Sequence, residues 1–137
     1  MITTAALSLA VTFPHGTATI RTPSRTVQVR VQIAETPAQL RQGLMNRRTL
    51  ARNSGMAFLW VGEVRGTFWM KDTKIPLSIA FWNRNGQILR ILDMAPCLRA
   101  PCKVYDPKVA FQGALEVNRG AFKRWGVRRG AHVTIRR

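Results

Sequence analysis

The sequence predicts a small, single-domain, mainly-β protein: a β-sandwich or barrel-like fold of about seven to eight strands with one or two short helices. Three observations carry this expectation. The chain has 137 residues, a common size for one hydrophobic core, and its 46% apolar fraction is ordinary for a folded domain and too high for a disordered one. Short apolar segments recur between turns rich in Gly, Pro and Asn, as in sandwiches and barrels. Strict two-residue alternation is also explicit, with Val27, Val29, Val31 and Ile33 set against Gln28, Arg30 and Gln32.

The elements follow in order. Residues 1–24 read as an N-terminal strand or the remnant of a trimmed leader, and 25–137 as the mainly-β domain. Ala5 to Val11 is apolar like the middle of a signal peptide, yet no Lys or Arg precedes Arg21, so the basic leading region is missing. The alternating strand stops at Glu35-Thr36-Pro37. Thr36 can cap a helix, Pro37 suits its first position, and Gln39 can complete a capping box, which predicts a helix from Pro37 to Leu44 docked through Leu40 and Leu44. Arg47 to Ser54 is a polar loop. Gly55 to Val61 is apolar on both faces, as in a fully buried strand.

Gly66 to Met70 is a shorter strand and Leu77 to Trp82 another core strand. The latter turns at Asn83-Arg84-Asn85-Gly86, a hairpin signal, into Gln87 to Met94. Ala95 to Lys108 is the longest loop. Val109 to Asn118 is a strand, Ala121 to Trp125 a single helical turn stopped by Gly126, and Ala131 to Arg136 the closing strand. No run reaches the roughly 18–20 apolar residues of a membrane helix, so no transmembrane segment is expected.

The charge is lopsided: 22 basic against 6 acidic residues, a formal +16. Such a field concentrates polyanions such as nucleic acid or acidic lipid around the molecule and says nothing about fold. The excess peaks near the C-terminus, where Arg119, Lys123, Arg124, Arg128 and Arg129 form a candidate anion-binding set, and an ordinary solvated face is the alternative. Cys97 and Cys102, four residues apart in a proline-rich loop, read as a local disulfide, with two free thiols as the alternative. A disulfide favours an exported, periplasmic or extracellular setting over the cytoplasm.

Catalytic signatures are absent. His15 and His132 are far apart, and the chain has no phosphate-cradling glycine loop, Gly-x-Ser-x-Gly elbow or Cys-x-x-Cys. No metal site or cofactor is expected. Phe68-Trp69-Met70-Lys71-Asp72-Thr73 sets aromatic, cationic and carboxylate groups where a strand meets a loop. Trp69 can stack on a flat ligand with Lys71, Asp72 and Thr73 at its polar edge. The plainer reading makes Trp69 and Met70 core and Asp72 and Thr73 turn-formers. In the strand ending at Asn118, parity places Phe111, Gly113, Leu115 and Val117 on one face and Gln112, Ala114, Glu116 and Asn118 on the other. Glu116 and Asn118 are therefore candidates to face Trp69 across a pocket, or Glu116 to pair with an arginine.

Several of these motifs resemble one family. Gly43-Leu44-Met45 with Arg47, then Gly55-Met56-Ala57-Phe58, then Phe68 through Leu77, and finally Leu115-Glu116-Val117-Asn118 with Gly120, Gly126 and Gly130 are similar, in order, to the domain of unknown function 192 family of bacteria and archaea. The resemblance spans roughly Arg25 to Arg137 and includes the Pro-Cys…Pro-Cys loop ending at Tyr105. It implies a sandwich-like, mainly-β fold with small helical additions and no established activity, and many relatives carry export leaders. The chain departs from the family pattern in having Asp72 where Asn is usual and Ser78 where Asp is usual; Asp72 replaces the missing carboxylate only if the two positions are close in space.

Three functions compete at this point. The first is a small-ligand-binding module built on Trp69, Lys71, Asp72, Thr73, Glu116 and Asn118. The second is nucleic-acid or anionic-surface binding through the C-terminal arginines. The third is a hydrolase or transferase using Glu116 or Asp72 as general base, for which no nucleophile is evident.

Overall fold

The computed structural model describes residues 10–137. Nine strands and two short helices are present among them: β1 (His15–Arg21), β2 (Thr26–Ala34), α1 (Pro37–Gln42), β3 (Ser54–Val64), β4 (Phe68–Trp69), β5 (Leu77–Trp82), β6 (Ile88–Met94), β7 (Val104–Tyr105), β8 (Phe111–Asn118), α2 (Ala121–Trp125) and β9 (His132–Arg136). Seven strands form one sheet in the order β6-β5-β8-β3-β2-β1-β9, and β4 and β7 form a separate two-stranded ribbon. All neighbours in the large sheet are antiparallel except β2 and β3, whose connection carries α1. β1 lies between β2 and β9, on the N-terminal side of the boundary expected at residue 25. Of the apolar run at 5–11, residues 5–9 lie outside the described residues, and Ala10 and Val11 are not in a strand.

The large sheet coils until its two edges approach each other. Val133 N–H donates to the Gly86 carbonyl and Ile88 N–H to the Ala131 carbonyl, both at 2.8 Å. Among the described residues only one bridge, Gln87 to His132, joins these edges, so the sheet is sandwich-like rather than a closed barrel.

Each face of the sheet carries its own core. One cluster collects Ile20, Val29, Val31, Ile33, Trp82, Leu115, Val117 and Val133, sealed by Phe122 of α2 and by Val127. The other collects Met56, Phe58, Leu77, Ile79, Phe81 and Phe111 under Leu44, Met70 and Ile75, with Phe68 of β4 and Tyr105 of β7 packed on it. Apolar cover on both sides explains why every residue of β5 is buried, as its unbroken hydrophobic sequence requires. Phe68 holds the small ribbon to the sheet by edge-to-face packing with Phe58 at 5.3 Å and Phe81 at 5.5 Å.

Two expectations need correction. The helix ends at Gln42 rather than Leu44, because Gly43 turns the chain at φ 47°. A Cβ on Gly43 would lie 3.3 Å from the Phe58 ring, so glycine permits both the turn and the close approach. The capping box is present as expected: Gln39 N–H donates to Thr36 Oγ1, and Thr36 N–H donates to Gln39 Oε1. The second correction concerns β8, where simple parity fails at the start. Phe111 joins Ala114 in the second cluster instead of Leu115 and Val117 in the first. The ladder between β3 and β8 shifts register between Leu59 and Val64, opposite this end of β8, and such a bulge re-aims side chains. The Trp82 indole fills the space over Gly113, which any Cβ there would occupy.

Candidate functional site

A cleft of about 770 Å³ opens on the second face of the sheet. Its floor is β8 and β3, and its walls are α1 with the following turn (Ala38 to Asn46) and the Thr67 to Thr73 segment. Leu40, Leu44, Phe58, Trp60 and Phe68 supply apolar lining; Trp69, Lys71, Asp72, Thr73 and Glu116 all face it as well.

Glu116 lies deepest. On β8 it sits opposite Met56 of β3 and Ile79 of β5, both fully buried, and is itself only 5% exposed. Among the described residues its carboxyl makes no ion pair or side-chain hydrogen bond. Removal from water without a compensating charge pushes its pKa up to about 8. Burial thus favours the protonated form, a carboxylic acid with an O–H donor turned to the cleft.

The rim is built by the Trp69-to-Thr73 segment. Met70 is buried and anchors it, which leaves Trp69 beside it half exposed (51%). Lys71 Nζ lies 5.4 Å from the Trp69 ring centroid, a cation–π pair. Asp72 adopts φ 55°; its N–H donates to the Cys97 carbonyl and its carbonyl accepts from Asn46 N–H, both at 2.9 Å. Thr73 is buried, its hydroxyl donating to the Lys71 carbonyl at 3.2 Å. The segment is thus fixed from two sides, by the turn after α1 and by the loop at Cys97. Cys97 and Cys102 are disulfide-bonded with Cα atoms 5.8 Å apart, and bridges tie Cys97 to both Lys71 and Thr73.

Asn118 is not in this lining. Its Nδ2 donates to the Leu50 carbonyl at 2.8 Å and steadies the preceding loop. Gln112, assigned by parity to the face of Glu116, lines a different groove of about 790 Å³ along the approaching sheet edges, with Trp82, Asn83 and His132. The charged groups of that groove include Glu35 and Arg137, which are paired through two hydrogen bonds of 2.7 and 2.6 Å that hold the Glu35 carboxyl below its usual pKa. Met45, Asn46 and Arg41 line the cleft and were not singled out from the sequence; the Gly43-Leu44-Met45 motif was the one signal that bore on them.

Ser78 faces away from the cleft, into a cavity of about 350 Å³ that also includes Asp93, Phe122 and Val127. Its hydroxyl donates to Asp93 Oδ1 at 2.6 Å, directly across the β5–β6 pair, and accepts from Gly120 N–H at 3.1 Å. Asp93 thus places a carboxylate beside Ser78, whereas Asp72 lines the cleft on the other face and is not close to position 78 in the way its replacement there would require. Arg119, Lys123, Arg124, Arg128 and Arg129 are all exposed around α2 and the turn after it, with Arg119 3.8 Å from Asp93. Among the described residues, no three His, Cys, Asp or Glu side chains gather as a metal site would require.

The family model DUF192, described as "Uncharacterized ACR", matches residues 18–135. No curated protein matches the chain. Solved structures similar to it include a candidate transcription regulator from Sinorhizobium meliloti 1021, 32% identical with a TM-score of 0.85, covering 92% of this chain and 97% of that one. Another is a protein of unknown function from Novosphingobium aromaticivorans DSM 12444, 28% identical with a TM-score of 0.82, covering 98% of this chain and 99% of that one.

Proposed function

The chain belongs to the DUF192 family, whose membership carries no activity with it, and from that premise we propose that it is a small-ligand-binding module whose site is the Trp69–Glu116 cleft. One observation carries the reading: a largely buried carboxyl that opens on the cleft, with no side-chain hydrogen bond among the described residues, and a half-exposed indole line the same cavity. A polar group set among apolar walls and an aromatic ring open to the same space are what small-ligand sites present. The apolar walls supply affinity, and the few polar groups fix orientation. Asn118, committed to Leu50, stays outside the site. The disulfide behind the rim fits an oxidising compartment.

The test is a fragment screen by two-dimensional NMR on the full chain. Hits are expected to shift amides at 41–46, 69–73 and 116, and Trp69→Ala is expected to weaken them at least fivefold without lowering the melting temperature. If no fragment perturbs this cleft, or if Trp69→Ala leaves every affinity unchanged, the reading fails.

A second reading, binding of nucleic acid or another polyanion, draws on the exposed basic residues around α2 and on the name of the Sinorhizobium relative. Both helices among the described residues are six residues or shorter, too short to read a major groove, so such binding would follow charge rather than sequence.

A further inference from the structure

Resting on that reading, we infer that the ligand is a small organic carboxylate carried on a flat apolar body, its anionic group accepting from the Glu116 carboxyl and facing Lys71 and Arg41. The charged and titratable side chains of the cleft are Arg41 from α1, Lys71 and Asp72 from the rim, and Glu116 from β8; the lining from β3, Phe58 and Trp60, adds none. With Glu116 neutral, two cations oppose one anion, inside a molecule of formal charge +16. That field gathers anions and repels cations.

Hydrogen-bond chemistry selects in the same direction. A carboxylic acid offers one O–H donor, a carboxylate offers only acceptors, and an O–H···O⁻ contact is about twice as strong as a neutral one. An ammonium ligand would form an ion pair with Glu116 only if that group were ionised between Met56 and Ile79, where desolvation opposes charge, and it would face Arg41 and Lys71. An uncharged alcohol can bond to Glu116 but makes no use of Arg41 and Lys71. The flat body follows from the four aromatic rings in the lining, Phe58 and Trp60 from the floor and Phe68 and Trp69 from the wall.

A matched series on one body separates these cases: phenylacetate, 2-phenylethanol and 2-phenylethylamine, each titrated into the full-length chain and followed at the cleft amides. Phenylacetate is expected to bind tightest at pH 7, at least tenfold ahead of the amine. Its affinity is expected to fall by up to tenfold for each pH unit above about 8, as the Glu116 proton is lost. Glu116→Gln, whose amide still donates, is expected to bind phenylacetate with no such fall between pH 7 and 9.5. A preference for the amine, or a flat pH response in the unsubstituted protein, overturns the carboxylate assignment and leaves the cleft reading standing. Failure of all three probes, together with every other fragment, to shift the cleft amides overturns both.

Discussion

Burial of the Glu116 carboxyl ties the stability of the fold to pH. Its folded-state pKa, about 8, lies above the ordinary value of 4.5, so the folded protein holds a proton that the unfolded chain releases between those limits. The stability associated with that proton is fully present below pH 4.5 and is lost as pH rises through about 8. At 1.36 kcal/mol per pKa unit, the loss is on the order of a few kcal/mol. Urea midpoints are expected to decline from pH 5 to pH 8 in the unsubstituted protein, and the Glu116→Gln curve to stay flat across that window. Coincident curves would show that the carboxyl is not held neutral. At this scale the sequence was informative about residue types and poor about surroundings. Trp69, Lys71, Asp72, Thr73 and Glu116 stood out as chemically odd for their positions. That Glu116 is buried follows from the turn at Gly43 and the rim at Asp72, both distant in sequence, which no local pattern could reveal.

Among the elements, the Cys97–Cys102 loop has the most leverage. It lies outside the cleft, yet the Cys97 carbonyl holds the Asp72 N–H, and Cys97 bridges to the residues on either side. Closing so short a loop stabilises by about 2 kcal/mol through the entropy removed from the unfolded chain. Cys102→Ser is therefore expected to lower stability by about that amount and to weaken fragment binding at the rim as well. A variant that loses stability while keeping every fragment affinity would separate the loop from the site. Strands and caps were the most legible level. The alternation at Val27–Ile33, the Thr36 capping box and the Asn83–Gly86 turn are written in neighbouring residues. What misled parity in β8 was the register shift opposite it, a property of the strand pair rather than of either strand.

On the scale of the whole molecule, charge dominates. A formal +16 spread over exposed arginines is expected to retain the protein on a random single-stranded oligonucleotide at low salt and to release it steeply towards moderate salt, as counterion release requires. Trp69→Ala should leave that behaviour unchanged while weakening any fragment binding in the cleft, since the substitution removes no charge. Absence of retention at low salt would remove the polyanion reading. The mainly-β class was legible here because it depends on composition and turn spacing summed over the chain. The choice between sandwich and barrel was not, because it turns on whether two edges that are far apart in sequence pair along their length.

The incomplete pairing of β6 with β9 has a consequence of its own. A sheet whose edges meet at a single bridge among the described residues has a built-in seam, and cooperative structure should come apart from there inward, towards the doubly covered β5 and β8. The cleft, floored by β8 and β3, lies in the middle of the strand order and away from that seam, so opening along the seam is expected to leave its floor intact.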